Sequence, residues 1–224
     1  MTEITYHLSE IVRRVARAAE LANRPNDVTI IAVSKQQPIE KIAEAFHAGQ
    51  RHFGESYVQE AIPKMDALRH LDITWHFIGA IQSNKTRAIA ERFDWVHTLD
   101  RQKTAARLNE QRPYHAPPLN VLIQVNQAGE QQKRGTPEAQ VEEIARAISA
   151  LPRLRLRGLM TIPPPFTASG RAWFVELAAL RDRLRLEGHA LDTLSMGMSD
   201  DFEVAIAAGS NCVRIGTAIF GQRS

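Results

Sequence analysis

Hydrophobic positions along this chain fall into two alternating rhythms. Leu8, Ile11, Val12, Val15 and Ala19 recur every three or four residues, which predicts an amphipathic helix ending near Asn23-Arg24-Pro25-Asn26. Ile30-Ile31-Ala32-Val33 then runs apolar without alternation, as in a parallel strand covered on both faces. Pro38 opens the next helical spacing, through Ile39, Ile42, Ala43 and Phe46, with Gly49 as its stop. The same succession repeats down the chain. Strand-like runs are predicted at 51–56, 73–79, 93–99, 119–125, 156–161, 191–196 and 212–216. Helical stripes fall toward Met65 and Leu68, behind a cap at Gln82-Ser83-Asn84-Lys85, and through Val141, Ile144, Ala145 and Ile148 after the cap and first-turn pair Thr136-Pro137. Two more run through Trp173, Leu177, Leu180 and Leu184 and over a short piece from Asp201 to Ala208, whereas the loop 162–166 holds three prolines and cannot be helical.

Eight strands alternating with helices predict an α/β chain: a single (β/α)8 TIM barrel with an extra N-terminal helix, one domain over 1–224. An open doubly wound sheet is the structural alternative. It usually needs fewer strands, and no glycine-rich dinucleotide loop follows the first one.

Composition narrows the class further. Of 224 residues, 44% are hydrophobic and 24% charged, values of an ordinary globular protein rather than a disordered or fibrous one. Twenty-eight basic against 25 acidic side chains leave a net charge of only +3. The runs Arg13-Arg14 with Arg17, and Arg153, Arg155 and Arg157, are interrupted by apolar residues, so no nucleic-acid partner is expected. Cys212 is the single cysteine. It excludes an internal disulfide, suits a reducing compartment and reads as buried filler in an apolar run. The first residues carry no basic segment followed by an apolar one, and no run approaches membrane-spanning length. A cytoplasmic protein without a membrane partner is expected.

The candidate chemistry lies at strand ends. Lys35 closes the first apolar strand, on the edge where ligands gather in parallel α/β folds. The turns Ser195-Met196-Gly197-Met198-Ser199-Asp200-Asp201 and Arg214-Ile215-Gly216-Thr217 follow the seventh and eighth strands, where barrels often bind phosphate. Read blandly, they are two tight turns with capping residues. An amine facing an anion site suits an aldehyde that carries a phosphate, and pyridoxal 5'-phosphate (PLP) is such a molecule. Arg214 points either into the barrel mouth or outward. Facing the pyridine nitrogen, it would keep that atom unprotonated, because arginine does not surrender its own proton. Glu55, His76, Asn84 and Asn126 also lie at strand ends, and Asn84 is counted among the cofactor-binding candidates. His52 and His76 read as packed, hydrogen-bonded histidines. No metal-spaced motif is present. Glu130, Lys133 and Gly135 form either a solvated charge pair or part of a lid.

Ala32-Val33-Ser34-Lys35, the block from His52 to Glu60, and Trp75-His76-Phe77-Ile78-Gly79 with Gln82-Ser83-Asn84-Lys85 resemble the YggS/PROSC family of PLP homeostasis proteins. So do Leu156-Arg157-Gly158-Leu159-Met160, Ser195-Met196-Gly197-Met198-Ser199 with Asp201, and Val213-Arg214-Ile215-Gly216 with Ile219-Phe220-Gly221. The resemblance covers about residues 8–222. It implies the barrel of alanine racemase without the second, β-rich domain. It further implies a PLP Schiff base on Lys35, a phosphate held by Ser199, Gly216 and Thr217, and Arg214 near the ring. Ser56 stands where the family usually has asparagine, and Gly79-Ala80-Ile81-Gln82 replaces glycine-proline-leucine-glutamine. The implied role is intracellular PLP homeostasis without robust turnover, by a monomer whose recipients would be PLP-dependent apoenzymes. The alternative is an amino-acid racemase with Lys35 as one of two acid/base groups, which would require an opposing tyrosine. Tyr57 is the nearest one and is expected to pack on the helix after the second strand.

Overall fold

The unalternating run after Thr29 becomes one stave of a closed barrel, since a strand covered inside and out needs apolar residues on both faces. The computed structural model describes residues 2–24, 27–129, 134–164 and 170–222. Helix α1 (Glu3–Leu21) precedes β1 (Thr29–Val33), α2 (Ile39–His47), β2 (His52–Glu55), α3 (Val58–Ala67), β3 (Thr74–Phe77) and α4 (Thr86–Arg92). β4 (Trp95–Leu99), α5 (Gln102–Gln111), β5 (Leu119–Gln124), α6 (Val141–Ser149) and β6 (Leu154–Met160) follow. The chain closes through α7 (Gly170–Leu186), β7 (Thr193–Ser195), α8 (Phe202–Ala207), β8 (Cys212–Ile215) and α9 (Thr217–Phe220). Each strand pairs in parallel with the next, and β8 returns to β1 with Thr29 opposite Cys212 and Ala32 opposite Ile215. This is the eight-stranded barrel with an added first helix that the pattern predicts.

Several local expectations shift. The hydrophobic pattern predicts no element where α5 forms, because its buried residues are only Thr104, Ala105 and Leu108, too weak a stripe to stand out. β6 starts at Leu154, two residues before the apolar run, because the strand pairs with β5 from Leu119 onward. Thr136-Pro137 does not cap α6. Thr136 instead bridges to Val125, and Pro137 precedes a single 3₁₀ turn over Glu138–Gln140. Lys85 is the N-cap of α4 without a side-chain bond, while the Thr86 hydroxyl donates back to the Ser83 carbonyl at 3.1 Å. Val12 is exposed, off the buried stripe of α1, and Tyr57 is exposed at the start of α3 rather than packed. Pro25, Asn26, Glu130, Lys133, Pro165 and Phe166 lie outside the described residues.

Two buried layers result. The larger apolar cluster lies between strands and helices and includes Phe53, Phe77 and Phe93, with Phe77 and Phe93 edge to face at 5.2 Å. Each such ring removed from water contributes about 1.5–3 kcal/mol. Ile31, Leu122, Met160 and Cys212 are equally buried but stand apart from that cluster, inside the barrel. Gly54 is needed there, because a Cβ on it would lie 2.9 Å from Ile31 Cγ2. The interior is also rich in polar side chains, among them buried His76, His97, Ser195 and Arg214.

Candidate functional site

Lys35 sits on a turn whose neighbours are pinned on both sides. Behind it, the buried Ser34 hydroxyl donates to Glu55 Oε1 at 2.7 Å. The buried Lys64 ammonium donates to the Ser34 carbonyl at 2.8 Å, to Glu55 Oε1 at 2.9 Å and to Glu60 Oε1 at 2.5 Å. Ahead of it, the Gln36 amide donates to the same Glu60 oxygen, and Gln36 takes a left-handed φ of 60°. β2 and α3 thus hold the end of β1 through three charged groups. Burial pushes the Glu55 carboxyl upward, against the nearby Lys64 charge and the bonds from Lys64 and Ser34. Glu55 Oε2 is buried without a partner.

The opposite wall comes from the turns after β7 and β8. Gly197 has φ 95°, and a Cβ there would press within 2.9 Å of Phe202 Cα, so the turn requires glycine. Asp201 Oδ1 accepts the Met198 amide at 2.6 Å, and the Gly197 carbonyl accepts the Arg214 amide at 3.0 Å. Arg214 points inward, which settles the choice left open by the strand pattern. Its Nη1 donates to Ser195 O at 2.8 Å and Oγ at 2.7 Å, and its Nη2 donates to Thr161 O at 2.9 Å. Burial draws its pKa down, yet guanidinium starts so high that the cation persists at neutral pH. Its bonded partners are neutral oxygens, so its charge is not cancelled by a direct ion pair.

Between these walls lies a cavity of about 230 Å³ at the carboxyl ends of the strands. It brings together Lys35, Ser199, Arg214, Gly216 and Thr217, and adds Ser56. A neighbouring cavity of about 250 Å³ shares Ile78 and Ile162 with it and carries Arg134 and Gln124. Asn84 does not line either cavity; it is exposed in the turn between β3 and α4. Glu55 lies beneath the Lys35 turn, and the Asn126 amide donates to Thr136 O at 2.9 Å. Lys64, Glu60 and Arg134 were not among the sequence candidates. Glu60 and Lys64 stand at i and i+4 on α3, a spacing that reads as a solvated pair. An amine on one side, hydroxyls on the other and a cation beneath can receive a small aldehyde bearing an anionic group.

Comparison with known proteins identifies the family and agrees with the fold. The family model for the alanine racemase N-terminal domain matches residues 6–224. The pyridoxal phosphate homeostasis protein of Escherichia coli (strain K12) is 51% identical over 229 residues, covering 100% of this chain and 98% of that one. Among solved structures, PipY of Synechococcus elongatus with PLP bound has a TM-score of 0.82 at 37% identity, covering 92% of this chain and 100% of that one. Alanine racemase from Corynebacterium glutamicum has a TM-score of 0.70 at 18% identity, with 96% of this chain aligned to 61% of that one, a likeness of fold alone. With its barrel, its strand-end lysine and these relatives taken together, the chain belongs to the YggS/PROSC family of pyridoxal phosphate homeostasis proteins, built on the fold of the alanine racemase N-terminal domain.

Proposed function

We propose that this protein holds PLP in the Lys35 cavity as a Schiff base on Lys35 Nζ and acts in intracellular PLP homeostasis by sequestering that reactive aldehyde. The observation that carries the reading is the single cavity lined by Lys35, Arg214, Ser199 and Thr217. When bound, PLP supplies an aldehyde that condenses with an amine, releasing one water, and a ring that withdraws electrons. Lys35 is the group that would hold the aldehyde carbon. Ser199, Gly216 and Thr217 offer hydroxyl and backbone donors for the phosphate. Asn84, exposed beside the α4 turn, would take part only at the rim.

Arg214 supports a binding protein over a catalyst. Were the ring nitrogen of bound PLP to face Arg214, the donor-only guanidinium would leave that nitrogen unprotonated and weaken the ring as an electron sink. No tyrosine is among the described residues lining this cavity, whereas racemisation needs an acid/base group on each face. As a carrier, the protein would serve PLP-dependent apoenzymes as a cytoplasmic monomer, with no nucleic-acid or membrane partner.

Absorption spectra with and without added PLP test the reading. The wild type is expected to develop a visible band that Lys35→Ala loses completely while keeping its circular dichroism, since Lys35 is only half-buried. A wild type that stays transparent in the visible at excess PLP would sink the covalent reading.

A further inference from the structure

Beneath the Lys35 cavity, the barrel interior contains a polar chain that joins Arg214 to four side chains that cofactor binding does not use. His52 Nδ1 lies 3.0 Å from His76 Nε2, His76 Nδ1 lies 3.0 Å from His97 Nε2, and His97 Nδ1 lies 2.8 Å from Ser195 Oγ. Ser195 Oγ accepts from Arg214 Nη1 at 2.7 Å. Five side chains from β2, β3, β4, β7 and β8 therefore run end to end. Arg214 ends the chain at the Lys35 cavity. His52 ends it at another cavity, of about 410 Å³, also lined by Thr29, Thr193 and Cys212. These residues begin β1, β7 and β8, so that cavity opens at the amino-terminal mouth of the barrel.

A neutral imidazole has one N–H and one lone pair, so rings bonded nitrogen to nitrogen cannot choose tautomers independently. The chain must run head to tail in one of two directions. Arg214 can only donate, so it occupies a lone pair of Ser195 Oγ and leaves the hydroxyl hydrogen to be placed. Ser195 then selects the direction: with Arg214 holding one lone pair, its hydrogen goes to the His97 Nδ1 lone pair, and each ring in turn takes its lone pair on the Ser195 side and its N–H on the far side. Burial lowers the pKa of all three rings, with His97 and His52 adding to the effect on His76, and Arg214 adding to that on His97. Asp94 opposes it at His52. The other charged groups facing His52 across the amino-terminal cavity are Asp27, Asp192 and Arg157, and Arg157 Nη2 is paired with Asp192 at 2.7 Å.

We propose that His52, His76, His97 and Ser195 form one directional relay that ties the amino-terminal cavity to Arg214, with Ser195 donating to His97, His97 to His76 and His76 to His52. Every ring is then the neutral Nε2–H tautomer, and the His52 Nε2–H is presented to an acceptor in the amino-terminal cavity. His52, His76 and His97 are positioning residues, which set the orientation in which Ser195 Oγ accepts the hydrogen bond from Arg214. Coupling is reciprocal: a proton placed on His52 Nδ1 displaces the bond from His76, and the break passes ring by ring to Ser195. The relay goes beyond PLP binding and stands without it.

Nitrogen-15 NMR of the histidine rings, recorded on the protein without added PLP, tests the relay and leaves the Schiff-base reading to its own spectrum. The expected result is three neutral Nε2–H rings at pH values near neutrality. One ring in the Nδ1–H form would overturn the proposal. In Ser195→Ala, which removes a single oxygen, His97 should lose its fixed direction, and mixed tautomers should appear at His76 and at the distant His52. Ser195→Thr, which restores the hydroxyl, should return all three to one form. If Ser195→Ala leaves His52 unchanged, the rings are merely packed and no relay exists.

Discussion

Lys64→Met is expected to cost about 3–5 kcal/mol of folding stability, because it strands a buried carboxylate without its cation. The Lys64 side chain is 6% exposed and that of Glu55 is fully buried, so water does not compensate the loss. In the wild type the Lys64 charge and hydrogen bond oppose the upward push of burial on Glu55. Removing them leaves burial in command, and the folded-state pKa of Glu55 rises further above its unfolded value. The folded variant then binds this proton more readily than the unfolded chain does. The deficit should be smallest below the ordinary carboxylate pKa of about 4.3 and grow as pH rises through the raised folded value. Urea unfolding at acid and neutral pH measures both effects. Adding Glu55→Leu to Lys64→Met should restore part of the loss, since an apolar pair of similar volume no longer buries a lone charge. A cost under about 1 kcal/mol, typical of an exposed pair, would show that the group is solvated. The same substitution frees the Ser34 carbonyl and one bond to Glu60, the contacts that flank Lys35. Weaker PLP binding should accompany the lost stability.

Gly158→Ala is expected to cost about 3 kcal/mol or more, at the upper end for overpacking. A Cβ at this position would lie 1.8 Å from the Thr193 carbonyl oxygen and 2.7 Å from its carbon. Both obstacles are backbone, so no side chain can rotate away. Gly158 pairs with Thr193 across β6 and β7 and lies beside the irregularity where the β5 pairing skips from Leu156 to Gly158. A glycine at such a bulge permits the close approach of the neighbouring strand. Relief would require β7 to move, and with it Ser195 and the Arg214 bonds. Gly49→Ala provides the contrast. Gly49 has φ 105° but nothing within 4 Å of its added Cβ, so it should cost only about 1–2 kcal/mol of backbone strain. Thermal or urea unfolding compares the two, and equal losses would refute the steric account of Gly158.

What the sequence determined by itself was local. Ile30 to Val33 is a buried parallel strand on its face, Lys35 follows at its carboxyl end, and Gly49 stops α2, because these features depend on neighbours within one turn or one strand. Eight such runs in alternation with helices were enough for the barrel, and the ordered blocks around Lys35, Ser199 and Arg214 were enough for the family. Weak stripes escaped, as α5 did with Ala105 and Leu108 as its only buried apolar residues. Closure decided the rest. A strand presents two faces, and only the ring formed by β8 returning to β1 makes one of them an interior. That ring turned Arg214 inward and left Asn84 exposed in the turn after β3. Lys64 became buried because α3 lies over the ends of β1 and β2, where Ser34 and Glu55 meet its charge. His97 and Ser195 stand 98 residues apart along the chain yet 2.8 Å apart in space. No periodicity of 2 or 3.6 residues carries that information, because a contact across the barrel depends on the register of every strand between.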